Sequence, residues 1–400
     1  ELGAIVPLLS LLEAPNEGPP DRECQRRAAW ALSNVVSDPP ASRALCAAPT
    51  GLSPLVELMR LPDADMQRPA AAAIFNATAN DPAAPAALAA AGGLDIFIVL
   101  LRYAANDENP DVVAWSAGTL LNCAAGRGAD FAAELLAISP PPVAALVGCL
   151  APDVTDEKYD DAQVALYELQ RANAAGALMN LVAVSDGVTA KLLECNGVKA
   201  LADALAASRE DALGACFAAG ALANVLLMAP SAAADAIVAV GGAKPMVEAL
   251  EAPPPPEGAP NSPLPADAQR AACVALLNAC AVGGRLRDEL LEAGAVDALV
   301  GCLLGGATDV QAAAAGALVN ACAAEDCANA LRDAASEEEV GEKLVAVGGL
   351  DVAARRLLAP EPLVRARAAG VLFNAAAFGP DNRQALLDGG GLSALVASLA

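Results

Sequence analysis

The side chains able to do chemistry in this sequence are eleven cysteines and an excess of carboxylates, with no histidine anywhere. Nucleophilic and general acid–base catalysis most often rely on a base that titrates near neutral pH, and the commonest such base is missing. No Cys-x-x-Cys pair occurs, and without histidine a mixed zinc site cannot be completed. The acidic run Asp153-Val-Thr-Asp-Glu-Lys-Tyr-Asp-Asp161 has the composition of a Ca²⁺ loop but lacks the Gly and the bidentate Glu at EF-hand spacing, so it reads as a solvated charged loop. There is no Gly-x-Ser-x-Gly elbow, no Gly-x4-Gly-Lys-Ser/Thr and no Gly-x-Gly-x-x-Gly after a strand. The expectation is a non-enzyme with no catalytic residue, no metal, no cofactor and no small-molecule substrate.

The cysteines recur at equivalent positions. Cys149 and Cys302 each sit in Leu-Val-Gly-Cys-Leu, and Cys280 and Cys322 each follow an Asn by two residues. That pattern reads as small buried hydrophobes in a reducing compartment, cytoplasmic or nuclear, with an organelle or a cytoskeletal assembly as alternatives. A formal charge of −24 and a pI near 4.2 argue against nucleic acid as principal partner, because that affinity comes from neutralising phosphates with Lys and Arg. The uncharged stretch from Ala212 to Pro230 could be mistaken for a membrane span, but its Gly-Ala-Leu-Ala-Asn (220–224) matches 176–180 and 316–320, whose surroundings carry charge. It is expected to be one buried helix of a repeat.

The elements that position these residues follow from that repetition. An Ala-rich helix ending in a single Asn recurs at Asn34, Asn76, Asn122, Asn180, Asn224, Asn278, Asn320 and Asn374, giving a unit of about 42 to 44 residues, lengthened in some copies. A Gly followed by an apolar run leads each copy, at Gly3, Gly51, Gly93, Gly197, Gly242, Gly294, Gly349 and Gly391, with Pro141 in the fourth slot. Gly is expected where a helix ends left-handed and the chain turns sharply into the next.

The segment Phe378-Gly-Pro-Asp-Asn-Arg-Gln-Ala-Leu-Leu-Asp-Gly-Gly-Gly-Leu-Ser-Ala-Leu-Val-Ala-Ser-Leu399 resembles the armadillo junction, a short first helix ending at Gly before a second helix. Gln25-Arg-Arg-Ala-Ala-Trp-Ala-Leu-Ser-Asn34 resembles the armadillo third helix. The resemblance runs from Gly3 to Ala400 and implies an all-α, right-handed superhelical solenoid of about eight to nine repeats. In that frame residues 1–400 are one solenoid, with third helices ending near 36, 79, 125, 183, 227, 281, 324 and 377. Insertions fall at about 151–162, 252–266 and 325–338, and both chain ends are expected to fall inside a repeat. The Pro-rich run Pro253–Pro263 could form polyproline II for a docking module, although a spacer loop is preferred.

Armadillo proteins hold an extended partner in a concave groove through the third-helix Asn, so the resemblance makes the eight Asn the candidate contacts. An amide suits the role because it both donates and accepts, as a peptide group does; the alternative is an Asn that ties neighbouring backbone together. Importin-alpha-like members also place Trp four residues before the Asn. Only Trp30 fits here, the equivalents being Ala72, Gly118, Gly176, Gly220, Val274, Gly316 and Gly370. Trp115 and Phe217 lie seven residues before their Asn as isolated aromatics. Arg26, Arg27, Arg68, Arg270 and Arg367 lie seven or eight residues before theirs, which suggests a groove less negative than the body, suited to acidic segments as in β-catenin-like members, unless carboxylates pair with them. Glu23, Asp65, Asp111, Asp267 and Asp309, eleven before the Asn, read as helix-start residues complementing the dipole.

The expected function is non-catalytic binding of an extended protein segment in this groove. The alternatives are a scaffold subunit that uses its convex face, loop edge or ends, and the armadillo module of a larger protein such as a ubiquitin ligase.

Overall fold

A computed structural model describes residues 3–13, 21–101, 109–139, 142–150, 159–208, 211–251, 265–305, 307–322, 380–388 and 390–398, with isolated positions between 354 and 376. Every regular element among the described residues is helical. The chain falls into two compact units, residues 1–200 and 201–400.

In the first unit the elements are α1 (Ile5–Leu12), α2 (Arg22–Val35), α3 (Pro39–Ala47), α4 (Ser53–Met59), α5 (Ala64–Asn80), α6 (Ala84–Ala90), α7 (Leu94–Leu101), α8 (Pro110–Ala137), α9 (Val143–Gly148), α10 (Asp161–Val182) and α11 (Asp186–Glu194). α12 (Gly197–Ala207) leads into the second unit. There follow α13 (Ala212–Met228), α14 (Pro230–Ala239), α15 (Ala243–Glu248) with a 3₁₀ turn, α16 (Pro265–Val282), α17 (Gly284–Glu292), α18 (Ala295–Gly305), α19 (Thr308–Cys322), α20 (Pro380–Asp388) and α21 (Gly391–Ser398).

The long helices α2, α5, α8, α10, α13, α16 and α19 are the third helices of the repeat. They start where Asp side chains can satisfy orphan backbone N–H groups. Asp21, Asp63 and Asp211 accept from the amides of Cys24, Asp65 and Leu213, and Asp160 forms a reciprocal capping box with Gln163. The carboxylates expected in the first turns, Glu23, Asp65, Asp111, Asp267 and Asp309, are there. Within each unit successive third helices pack on one another, α2 on α5 on α8 on α10, and α13 on α16 on α19. Their alanines make this possible: Ala70, Ala73, Ala117, Ala174, Ala221 and Ala275 are fully buried, and small side chains let the helix axes approach closely.

The turn between first and second helices differs from expectation in one respect. The left-handed residue is the slot glycine at Gly51 and Gly294 but stands one position earlier elsewhere, at Gly92, Asn196, Gly241 and Gly390. In those copies the slot glycine is required for close approach. A Cβ added at Gly93, Gly197 or Gly391 would fall 2.4, 2.4 or 2.3 Å from the Leu five residues earlier. A second departure is α8, where third helix and following first helix run together across a kink at Gly128, whose φ of 48° only glycine adopts freely.

The loop Asp153–Asp161 lies outside the described residues except for its last three positions. So do the Pro-rich run and the 325–338 insertion. The uncharged stretch from Ala212 is α13, a core helix whose alanines, Leu222 and Leu226 are buried within the second unit. Among the described residues no single helix is long and apolar enough to cross a membrane.

Candidate protein-binding face of the third helices

The Asn side chains occupy corresponding places on the third helices, and three of their amides perform the same task, two in the first unit and one in the second. Asn76 Nδ2 donates to the Ser33 carbonyl at 3.0 Å, Asn122 Nδ2 reaches the Phe75 carbonyl at 3.5 Å and Thr78 Oγ1 at 3.2 Å, and Asn278 Nδ2 donates to the Ala223 carbonyl at 2.9 Å. In each case the backbone acceptor immediately precedes the Asn of the previous copy. The amide nitrogen thus ties adjacent third helices, and all three Asn side chains are half-buried. Asn34 is exposed, and Asn180 is half-buried without a side-chain hydrogen bond among the described residues. Asn224 is half-buried and partnered. The Asn320 side chain and Asn374 lie outside the described residues.

The arginines on the same helices are committed to carboxylates. Arg26 and Arg27 share Glu23, at 2.6 and 2.5 Å. Arg68 reaches forward to Asp111 of the next copy at 2.7 Å, and Arg270 to Asp309 of the next at 3.4 Å. The hydrogen bond to Glu23 holds the Arg26 guanidinium above its usual value, with the field of Asp65 in the next copy adding to it. In two places, one in each unit, position eight before the Asn pairs with position eleven before the next Asn, and the alternative in which carboxylates pair with these arginines holds for Arg26, Arg27, Arg68 and Arg270. Arg367 lies outside the described residues.

Trp30 on α2 and Trp115 on α8 are brought together edge-to-face, with centroids 6.4 Å apart and planes at 83°. Between them in the packing order is α5, with Ala72 and no aromatic four residues before its Asn. Spacing alone made them isolated aromatics of different copies. Phe217 is half-buried on α13.

Two sets of polar residues escaped the reading of the sequence. Asn173 is buried on α10 and donates to the Ala114 carbonyl of α8 at 2.9 Å. The second set is a glutamine series that closes second helices: Gln25, Gln67, Gln170 and Gln269 donate to the carbonyls of Leu12, Leu61, Cys149 and Leu250, at 2.7, 2.7, 3.2 and 3.1 Å. These carbonyls belong to helix ends or lie just beyond them, where no intrahelical donor remains. Their signal was present as a Gln nine or ten residues before the Asn, hidden by the attention the Asn itself draws. No cluster of three or more potential metal ligands occurs among the described residues.

Stacked third helices, four in the first unit and three in the second, with short helix pairs between them, give each unit the fold of an α-solenoid of the armadillo type. Residues 285–323, which take in α17 from its second residue and all of α18 and α19, match the family model of the Armadillo/beta-catenin-like repeat. The match covers one first, second and third helix in the register derived from the Gly and Asn markers. The crystal structure of an engineered protein from the Northeast Structural Genomics Consortium is similar over 99% of this chain and 84% of that one, with 27% identity and a TM-score of 0.75. A designed armadillo repeat protein in complex with the peptide (KR)4 shares 19% identity over 79% of this chain and 98% of that one, with a TM-score of 0.43. No curated protein sequence is significantly similar to the chain. The armadillo fold generally mediates protein binding and is typically a non-catalytic scaffold.

Proposed function

We propose that this chain is a non-catalytic binding module that takes an extended protein segment along the row of third-helix Asn residues, in a reducing intracellular compartment. The observation that carries the reading is the half-used amide. Asn76 and Asn278 each commit one Nδ2 hydrogen bond to the neighbouring third helix, and Asn122 commits two; with no partner for Oδ1 among the described residues, that oxygen is the group we assign to meeting a peptide N–H, joined at Asn76 and Asn278 by the second N–H. Fixing the amide through its first hydrogen bond lowers the ordering cost of the second.

The ion pairs shift the expected selectivity. With Arg26, Arg68 and Arg270 matched to carboxylates, recognition rests on backbone contacts and on the Trp30–Trp115 pair more than on capture of an acidic segment. The nine described cysteines are all free, which suits a reducing compartment.

The test is to select extended peptides from a displayed library on the full chain and to compare it with the Asn122→Ala/Asn180→Ala/Asn224→Ala variant. At roughly 1 kcal/mol per lost hydrogen bond, affinity should fall on the order of 100-fold, with helicity retained by circular dichroism. Unchanged affinity, or peptides that map to another face by cross-linking, would sink the reading.

A further inference from the structure

Each unit holds a cavity at the edge where a second helix hands over to a third, and the two cavities are built from the same positions of the repeat. The first measures about 450 Å³ and the second about 460 Å³. Each is walled by a Leu near the end of a second helix, the Glu that follows it, and the Gln nine residues before the Asn. These are Leu12, Glu13 and Gln25 in the first unit, and Leu250, Glu251 and Gln269 in the second. In both, the Gln holds the Leu carbonyl through Nε2.

The cavities differ in their positive charge. In the first, Arg22 lines the wall and donates from Nη1 to Gln25 Oε1 at 3.2 Å, so the amide oxygen meets a guanidinium of the chain's own. Twelve residues before the Asn of the second unit's copy, the position of Arg22 is taken by Ala266. Gln269 Oε1 has no hydrogen-bond partner among the described residues. Two further exchanges point the same way. Asp297 stands where the first cavity has Ser53 and adds a carboxylate, and Gly301 stands where it has Glu57, with nothing within 4 Å of an added Cβ, so that wall is open. Lys244 and Arg270, the bases on α15 and α16, pair with Glu248 and Asp309 and do not line the cavity.

We propose that the second unit's cavity receives an arginine side chain of a partner protein, which takes the place that Arg22 fills in the first unit. Its guanidinium donates to Gln269 Oε1 and to the Glu251 and Asp297 carboxylates, and its aliphatic stem lies along Leu250 and Ala298. A guanidinium is always charged and carries five N–H donors, enough to serve three acceptors together. The formal charge of −24 draws a basic segment in from a distance. The site is distinct from the Asn row, since Gln269 precedes Asn278 by nine residues, about 13 Å along α16.

The experiment titrates the full, isotope-labelled chain with a capped Gly-Arg-Gly peptide and follows the Gln269 side-chain amide by NMR. The peptide should bind saturably and more weakly in high salt, and its citrulline analogue, which has the same shape and no charge, should bind roughly tenfold more weakly. Glu251→Gln/Asp297→Asn should weaken binding to a similar degree. Ala266→Arg, which rebuilds the arrangement of Arg22 and Gln25, should abolish it with helicity retained. The Asn122→Ala/Asn180→Ala/Asn224→Ala chain should bind the peptide as wild type does, which tells this site apart from the Asn row. Absence of saturable binding, equal binding of the citrulline or the corresponding lysine peptide, unchanged affinity in Ala266→Arg, or loss in the triple Asn variant overturns the proposal.

Discussion

The third helices of the two units solve one packing problem with different side chains. In the first unit α2, α5, α8 and α10 are joined by a dense set of polar and aromatic contacts: Asn76 to Ser33, Asn122 to Thr78, Asn173 to Ala114, Arg68 to Asp111, and Trp30 against Trp115. In the second unit α13, α16 and α19 keep the Asn278 bond and a longer, more exposed Arg270–Asp309 pair, Asn224 and Gln311 are also partnered, and Ala272, Cys273, Ala275, Leu276 and Ala314 are buried on these helices. Alanine and cysteine pack in many equivalent ways, whereas an amide donating to one particular carbonyl fixes the register of two helices. The first unit is therefore the more sensitive to point changes, and the second the more tolerant.

Glycine substitutions should separate them most widely. A Cβ at Gly118 would fall 2.5 Å from Phe75 Cε2 and 2.8 Å from Asn173 Nδ2, so Gly118→Val should cost about 3 kcal/mol or more in denaturant unfolding. At Gly301 on α18 nothing lies within 4 Å, and Gly301→Ala should stabilise by up to about 1 kcal/mol through helix propensity. Equal effects at the two sites would remove the contrast.

Next in size is Asn173→Ala, which removes a buried bond to the Ala114 carbonyl and should cost about 1 kcal/mol, against no more than a few tenths for Asn180→Ala, which breaks no hydrogen bond among the described residues. A double-mutant cycle on Trp30 and Trp115 should return a coupling of about 1 kcal/mol, and an additive pair would show that the ring contact contributes nothing.

The ion pairs come last. Asp111 is only 16% exposed whereas Asp309 is 59% exposed, so the Arg68–Asp111 cycle should give up to about 1 kcal/mol and the Arg270–Asp309 cycle close to zero, both declining in high salt.

A pH titration probes the kink in α8. Arg127 and Glu134 pair across Gly128, and the hydrogen bonds from Arg127 hold the Glu134 carboxyl below its ordinary value. A lowered folded value means that the contribution is complete above the ordinary glutamate value and is lost as the pH falls through the lowered one. Glu134→Gln should therefore flatten a small acid-side decline in the melting temperature and leave neutral-pH behaviour nearly unchanged.

Much of this molecule is determined locally and was legible without coordinates. The Asn and Gly markers set the repeat register because helix termini and tight turns obey short-range rules, and the acidic first turns follow from the helix dipole. The left-handed position stands one residue before the slot glycine in four copies: in three a Gly-Gly pair satisfies the turn in either register, and in the fourth Asn196 takes it while Gly197 packs against Leu192. The roles of the site residues depended on neighbours some 40 or more positions away. Arg68 could be solvated or paired until α8 brought Asp111 to 2.7 Å, and Trp30 could stand alone until Trp115 reached it from two copies on. Composition and periodicity determined that this chain stacks helices; the choice of which polar groups are used up between those helices, and which are left to meet a partner, belongs to the tertiary structure, because a hydrogen bond or ion pair exists only where two surfaces close.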